Sequence, residues 1–236
     1  NYKLNASKFN SYTIDLIYGS PTLTADLWRK NLEFANINNI PHISSYALTV
    51  EPKTALANFI KKGLVAPVED KLAQEHFTVL LTKMEAAGYE NYEISNFGKP
   101  GYYSKNNTAY WRQKKYIGIG PSAHSFDGKK RGWNISNNPK YIKSIAKGEL
   151  PIEFEELSVT DCYNEYVMTG LRTKWGVSLL KIQNDYGEQY VKYLEKQASK
   201  YLNQQLLYKV NDTLLTTKKG RFLVDGIAAD LFFINL

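Results

Sequence analysis

The chain has 236 residues, 43% apolar and 22% charged, with a formal net charge of +7, a balance ordinary for a globular chain long enough to bury a core. No apolar run approaches the roughly 20 residues of a membrane-spanning helix, and residues 1–11 carry no apolar stretch of the leader type, so no leader is expected. Its single cysteine, Cys162, excludes an intrachain disulfide and any cluster or zinc site built from several thiolates of this chain, so no metal site is expected within it and a reducing, cytoplasmic location is.

Tyr12–Tyr18 (YTIDLIY) is short, β-branched and aromatic and ends at Gly19–Pro21, which predicts a strand and a turn. Thr22–Asn38 has helical spacing, with Leu23, Leu27, Leu32 and Phe34 on one face and Thr22 or Thr24 as cap. His42–Val50 reads as a second strand closed by Glu51–Pro52. Val68–Ala87 repeats apolar residues every three or four positions until Gly88, the clearest helix. Tyr89–Ser95, Tyr116–Gly120 and Gly132–Ser136 are the remaining strand expectations of this half. Strands separated by long helices imply right-handed crossovers and a parallel sheet. The pattern changes near Glu149–Pro151. Three helices follow at Val159–Arg172, Leu179–Tyr186 and Tyr190–Gln204. A hairpin around Asn211–Asp212 and a last helix over about Lys219–Phe232 complete the chain. The expected fold class is α/β over residues 1–150 with a small helical-hairpin domain over 151–236.

Charge is uneven. Residues 1–150 carry 20 Lys/Arg against 12 Asp/Glu, whereas residues 151–236 carry 10 against 11. Ten of the basic residues lie between Lys99 and Lys143, with Asp127 as the only acid and seven Tyr or Trp interleaved. Such a stretch is either a solvated basic surface or a seat for a flat anionic ligand, a nucleic acid or a porphyrin with carboxylates.

Asp15 stands inside an apolar strand, where a carboxylate needs a partner. Asp15, Glu51 and Glu93 lie in or just after predicted strands, where α/β folds gather functional groups; a structural ion pair is the other reading of each. IGIGPSAHS (Ile117–Ser125) is a Gly/Pro/Ser loop that a ligand can approach closely, but its glycine spacing is not that of a phosphate-binding loop. His42, His76 and His124 have no metal-ligand spacing, and only His124 sits in a setting suited to a ligand.

Five segments taken together resemble one family. They are IDLIYGSP (Ile14–Pro21), SYALTVEPKT (Ser45–Thr54), AAGYENYEISNFGKPGYYS (Ala86–Ser104), NNTAYW (Asn106–Trp111) and YIGIGPSAHSF (Tyr116–Phe126). They are similar to segments of the HemN/HemW family of radical S-adenosylmethionine (radical SAM) proteins, which includes oxygen-independent coproporphyrinogen III oxidases and heme chaperones. The resemblance implies the C-terminal part of a partial (β/α)6 barrel over 1–150 and a winged-helix-like α+β domain over 151–236. It places Asp15 on the family aspartate that contacts S-adenosylmethionine, with Thr49 and His124 near that ligand. The family's heme-associated H-N-x-x-Y-W motif falls on Asn106, Asn107, Tyr110 and Trp111, with an amide, a poor iron ligand, in the histidine position.

The family's cluster motif, C-x-x-x-C-x-x-C, has no counterpart here. The resemblance implies that it lies upstream, so the 236 residues alone are expected to do no radical chemistry and to retain neither S-adenosylmethionine nor the [4Fe-4S] cluster. SYALTVEP and NNTAYW favour the chaperone branch, whose implied role is heme binding and transfer. The implied partners are heme or porphyrin, an electron donor and a heme-recipient protein. The alternative is the oxidoreductase, which decarboxylates two propionates of coproporphyrinogen III in porphyrin biosynthesis. A nucleic-acid-binding winged helix is a third reading, but it needs a basic C-terminal domain, and residues 151–236 are not basic.

Overall fold

A computed structural model describes residues 9 and 11–234, so most of the stretch weighed as a leader lies outside the described residues. The chain divides into two compact units, Asn1–Ser104 and Lys105–Leu236. The change of sequence pattern near Glu149–Pro151 falls inside the second.

The first unit contains β1 (Thr13–Tyr18), α1 (Ala25–Ile37), β2 (His42–Ala47), α2 (Ala55–Lys61), α3 (Asp70–Ala86), β3 (Glu90–Glu93) and β4 (Asn96–Gly98). The sheet order is β1-β2-β4-β3. β1 and β2 are parallel, as the intervening helix requires. The expected all-parallel sheet is corrected: β4 pairs antiparallel with both β2 and β3. The reason is local. Only Ile94 and Ser95 separate β3 from β4, and a link that short joins antiparallel strands.

Side chains alternate across β1, so Ile14, Leu16 and Tyr18 share one face and Thr13, Asp15 and Ile17 the other. Tyr18 meets the rings of Trp28 on α1 and Phe77 on α3 at centroid distances of 5.9 and 6.1 Å. α1 starts where the Thr24 hydroxyl accepts from Leu27 N. Its buried face is Trp28, Leu32 and Ala35; of the predicted stripe Leu32 is buried, whereas Leu27 and Phe34 are exposed. Tryptophan offers the larger apolar area, and burying it rotates the helix away from Leu27. α3 buries Ala73, His76, Phe77, Leu80 and Met84. His76 is structural: its Nδ1 accepts from Gly19 N at 3.1 Å and its carbonyl accepts from Trp28 Nε1 at 2.9 Å. Helix α2, absent from the sequence reading, has a Thr54 cap and buries no residue.

The second unit begins with α4 (Lys105–Trp111), a helix over the NNTAYW segment. Next come β5 (His124–Phe126), β6 (Lys130–Asn134), α5 (Asn138–Ala146) and β7 (Ile152–Glu156), with an antiparallel sheet β5-β6-β7. The strand expected at Tyr116–Gly120 is corrected to one bridge, Tyr116 to Phe126, followed by a loop. Gly120 has φ +103°, which ends any extended run. The Asn134 side-chain amide donates to the carbonyls of Gly118 and Gly120, replacing a strand partner.

The remainder is α6 (Val159–Leu171), β8 (Val177–Ser178), α7 (Leu179–Tyr186), α8 (Glu188–Asn203), β9 (Leu207–Val210), β10 (Thr213–Thr216), α9 (Lys218–Arg221) and α10 (Val224–Asp230). α6 opens on a capping box between Ser158 and Asp161. The predicted hairpin is β9–β10, with Asn211 at φ +53° in its turn. The last predicted helix is two, broken at Phe222–Leu223. Tyr163, Val167, Leu171, Ile182, Leu194, Leu214, Ile227 and Leu231 form this unit's core.

Candidate functional site

In the first unit, strand register sets Asp15 beside Ser44, Ser44 beside Asn96, and Asn96 beside Glu93. A polar row therefore crosses all four strands on the face that Tyr18 does not share. Ser44, Asn96 and Glu93 are buried, whereas Asp15 is exposed. Glu93 Oε2 accepts from Ser95 N at 3.2 Å, and its Oε1 accepts from the Asn96 amide. Asn96 Oδ1 is buried with no hydrogen-bond partner.

Next to this row stands buried His42. Its Nδ1 lies 2.8 Å from the Thr13 hydroxyl and its Nε2 2.7 Å from the Tyr92 hydroxyl, which accepts from Ser104 N at 3.2 Å. Burial pushes the imidazole below its ordinary value, partly opposed by the carboxylate of Asp15. Burial pushes the Tyr92 phenol up to about 12. Thr49 is exposed just after β2. The face thus offers one exposed carboxylate and one unpaired buried acceptor, which suits a ligand carrying N–H or O–H groups.

His124 belongs to the second unit. It is exposed at the start of β5, with its ring 6.5 Å from that of its cross-strand partner Trp133. The preceding loop is fixed from below: Gly118 N donates to Ser125 Oγ at 2.9 Å and Gly120 N to the Tyr141 hydroxyl at 3.2 Å. A Cβ on Gly118 would overlap the His124 backbone, so only glycine allows this approach.

Helix α4 carries Asn106, Asn107, Tyr110 and Trp111. Asn106 and Tyr110, four apart, share a helix face, and both are exposed. Tyr110 borders a cleft of about 410 Å³ whose other walls include Tyr116, Phe126, Arg131, Met168 and Phe232. The Tyr110 and Tyr116 rings meet edge to face at 4.8 Å. Arg131 pairs with Glu165. Trp111 lies under the Arg172 guanidinium, 5.2 Å from ring centroid to charge. Of the predicted heme-site residues only Tyr110 lines this cleft. The sequence reading missed Phe126, Arg131, Met168 and Phe232; Arg131 and Phe126 lie within the basic aromatic stretch, which was their only signal. The cleft is mostly apolar with a few polar groups, the usual make-up of a site for a flat organic ligand.

No group of three or more His, Cys, Asp or Glu is placed to hold a metal ion among the described residues. Cys162 is half-buried, and burial pushes its thiol up. The residues present do not fit an iron–sulfur cluster. Among the described residues, no helix is long and apolar enough to cross a membrane.

Residues 157–223 match the family model of the HemN C-terminal domain. The chain is 33% identical over 235 residues to the heme chaperone HemW of Lactococcus lactis subsp. lactis (strain IL1403), covering 95% of this chain and 62% of that protein. It is 30% identical over 216 residues to the heme chaperone HemW of Bacillus subtilis (strain 168), covering 91% and 57%. Among solved structures it resembles the radical SAM coproporphyrinogen III oxidase HemN from Escherichia coli, with a TM-score of 0.73 and 18% identity over 96% of this chain and 56% of that one. The chain therefore has that α/β fold, and it spans 62% or less of the length of each of these three proteins.

Proposed function

We propose, from the premise that the chain belongs to the HemN/HemW family of radical SAM proteins, that these residues form the heme-seating part of a HemW-like heme chaperone. The single observation that carries this reading is the aromatic cleft beside Tyr110 on the helix that corresponds to the H-N-x-x-Y-W segment. Tyr110, Tyr116, Phe126 and Phe232 give apolar walls to a planar macrocycle, and ring-on-ring contact adds to area burial. Lysines 114 and 115, close in sequence to Tyr116, suit propionates as point charges. The named chaperone relatives support this branch.

On the same reading, the first unit is part of a (β/α)6 barrel, and α6–α8 with the β8-β10-β9 sheet form a winged-helix-like appendage. Asp15 would hold a polar group of S-adenosylmethionine, with Thr49 near it. That cofactor and a [4Fe-4S] cluster, carried by residues outside this chain, would supply one-electron chemistry. The expected partners are heme, an electron donor and a heme recipient, in the cytoplasm.

Hemin titration followed by absorbance tests the proposal. A saturable spectral change in the 236-residue chain, weakened several-fold by Tyr110→Ala, is expected. No saturable change would overturn it. The fold shared with the oxidase HemN motivates a second reading, the decarboxylation of coproporphyrinogen III. Anaerobic formation of protoporphyrinogen by the whole protein would favour it.

A further inference from the structure

Heme iron needs an axial ligand from the protein, and Asn106 cannot replace the histidine of the family motif. We propose that the thioether of Met168 is that ligand, an assignment that rests on the heme-seating reading of the cleft.

Among the polar lining groups, Glu165 is engaged by Arg131. Asp161 accepts from the backbone and hydroxyl of Ser158 at 2.9 and 2.6 Å. Asn164 is spent on the backbone of Phe233, donating at 3.2 Å and accepting at 2.8 Å. Thr169 donates to Glu165 O at 2.7 Å. Gln113 also lines the cleft, and its amide is as poor an iron ligand as that of Asn106. Among the described residues, three groups able to ligate iron are left without such a partner: the hydroxyls of Tyr110 and Tyr116 and the sulfur of Met168.

A phenol binds iron as the anionic phenolate, a ligand that suits the ferric state, as in catalase. A thioether ligates without losing a proton and serves both oxidation states, as in cytochromes c. Met168 is half-buried in the C-terminal half of α6, so its side chain is anchored on a rigid element while it lines the cavity. Of the two methionines in the chain, Met84 is buried in the core of the first unit, which leaves Met168 as the thioether available to a ligand. The tyrosines then serve as walls against the macrocycle, and Met168 fixes its iron.

The test compares hemin complexes of the wild-type chain, Met168→Leu, Met168→His and Tyr110→Phe by absorbance and magnetic circular dichroism. The wild-type ferric complex is expected to show the near-infrared sulfur-to-iron charge-transfer band. Met168→Leu, which conserves volume, is expected to lose that band, with hemin affinity falling about tenfold. Met168→His is expected to exchange the band for a nitrogen-ligated spectrum, and Tyr110→Phe to keep the wild-type one. An unchanged spectrum in Met168→Leu overturns the assignment and leaves the heme-seating reading standing. A spectral change in Tyr110→Phe with none in Met168→Leu assigns the phenol and overturns Met168. Failure of the wild-type chain to bind hemin at all overturns both.

Discussion

The imidazole of His42 bonds the hydroxyl of Tyr92 across 2.7 Å, although β4 lies between their strands. The residue of β4 opposite His42 is Gly98. It has no side chain to block the crossing, and a Cβ there would meet the Tyr103 ring at 2.9 Å. That ring stacks on Tyr92 at 4.6 Å. One glycine thus lets two strands that are not neighbours share a buried polar link.

Replacing His42 by Phe is expected to destabilise the protein by about 2 kcal/mol, because the buried Tyr92 hydroxyl and the exposed Thr13 hydroxyl each lose a partner. Chemical denaturation checks this. Tyr92→Phe should cost a similar amount, since it takes a partner from both His42 Nε2 and Ser104 N.

Stability should fall as pH drops through the histidine range. The folded-state pKa of His42 is lowered by burial, and so is that of His76, so the unfolded chain binds more protons there. Their contribution is complete above the ordinary imidazole value near 6.5 and is lost as pH falls from there through the lowered folded values. The carboxylates of exposed Asp161 and half-buried Asp212, held low by hydrogen bonds, give way only at more acidic pH. Melting temperatures between about pH 8 and about pH 5 should show the first decline. His42→Asn should flatten part of it.

Gly118→Ala is expected to destabilise the second unit by more than about 2 kcal/mol, a core-clash magnitude at a loop position. Its Cβ would overlap the backbone carbonyl of His124, and backbone cannot step aside as a side-chain tip can. Gly148→Ala serves as contrast. It meets nothing within 4 Å, and its cost comes only from its φ of +77°. Paired thermal melts of the two variants distinguish clash from conformational strain.

Ser158→Ala should cost about 1 kcal/mol, the usual value of an N-cap. It removes the hydroxyl that accepts from Asp161 N at 3.1 Å and leaves the Asp161 carboxylate with one donor in place of two. Urea titration of the variant measures it.

Asn106→His should tighten hemin binding. The new imidazole would stand one turn from Tyr110 on the same helix face and restore a nitrogen ligand. A gain of about tenfold in affinity is expected, read by the same absorbance titration.

The longer helices were legible because apolar spacing and caps are local; the seven-residue α2, which buries no residue, was not. Leu179–Tyr186 is observed as read, and Val159–Arg172 ends one residue early. The resemblance to HemW proteins was legible too, since motif order survives in sequence. The face that α1 buries was not legible. Leu27 and Trp28 are neighbours in sequence, and only the ring contact of Tyr18 with Trp28 decides which of them turns inward. Strand β4, and with it the antiparallel pairing of this sheet, was not legible because three residues are too few for a periodic signal.

The candidate site divides in the same way. The sequence by itself determined the chemistry on offer: Asp15 in an apolar strand, an aromatic motif on Asn106–Trp111, and too few cysteines for a cluster. These depend on residue type and order, which need no folding to read. Only the tertiary structure decided which groups meet. Met168 and Tyr110 are 58 positions apart in the chain and reach one cleft because α6 and α4 belong to the same unit. Asp15, Ser44, Asn96 and Glu93 form one row because hydrogen-bond register aligns four strands. Such long-range pairing is set by packing and register summed over the whole unit, which no local window of sequence contains.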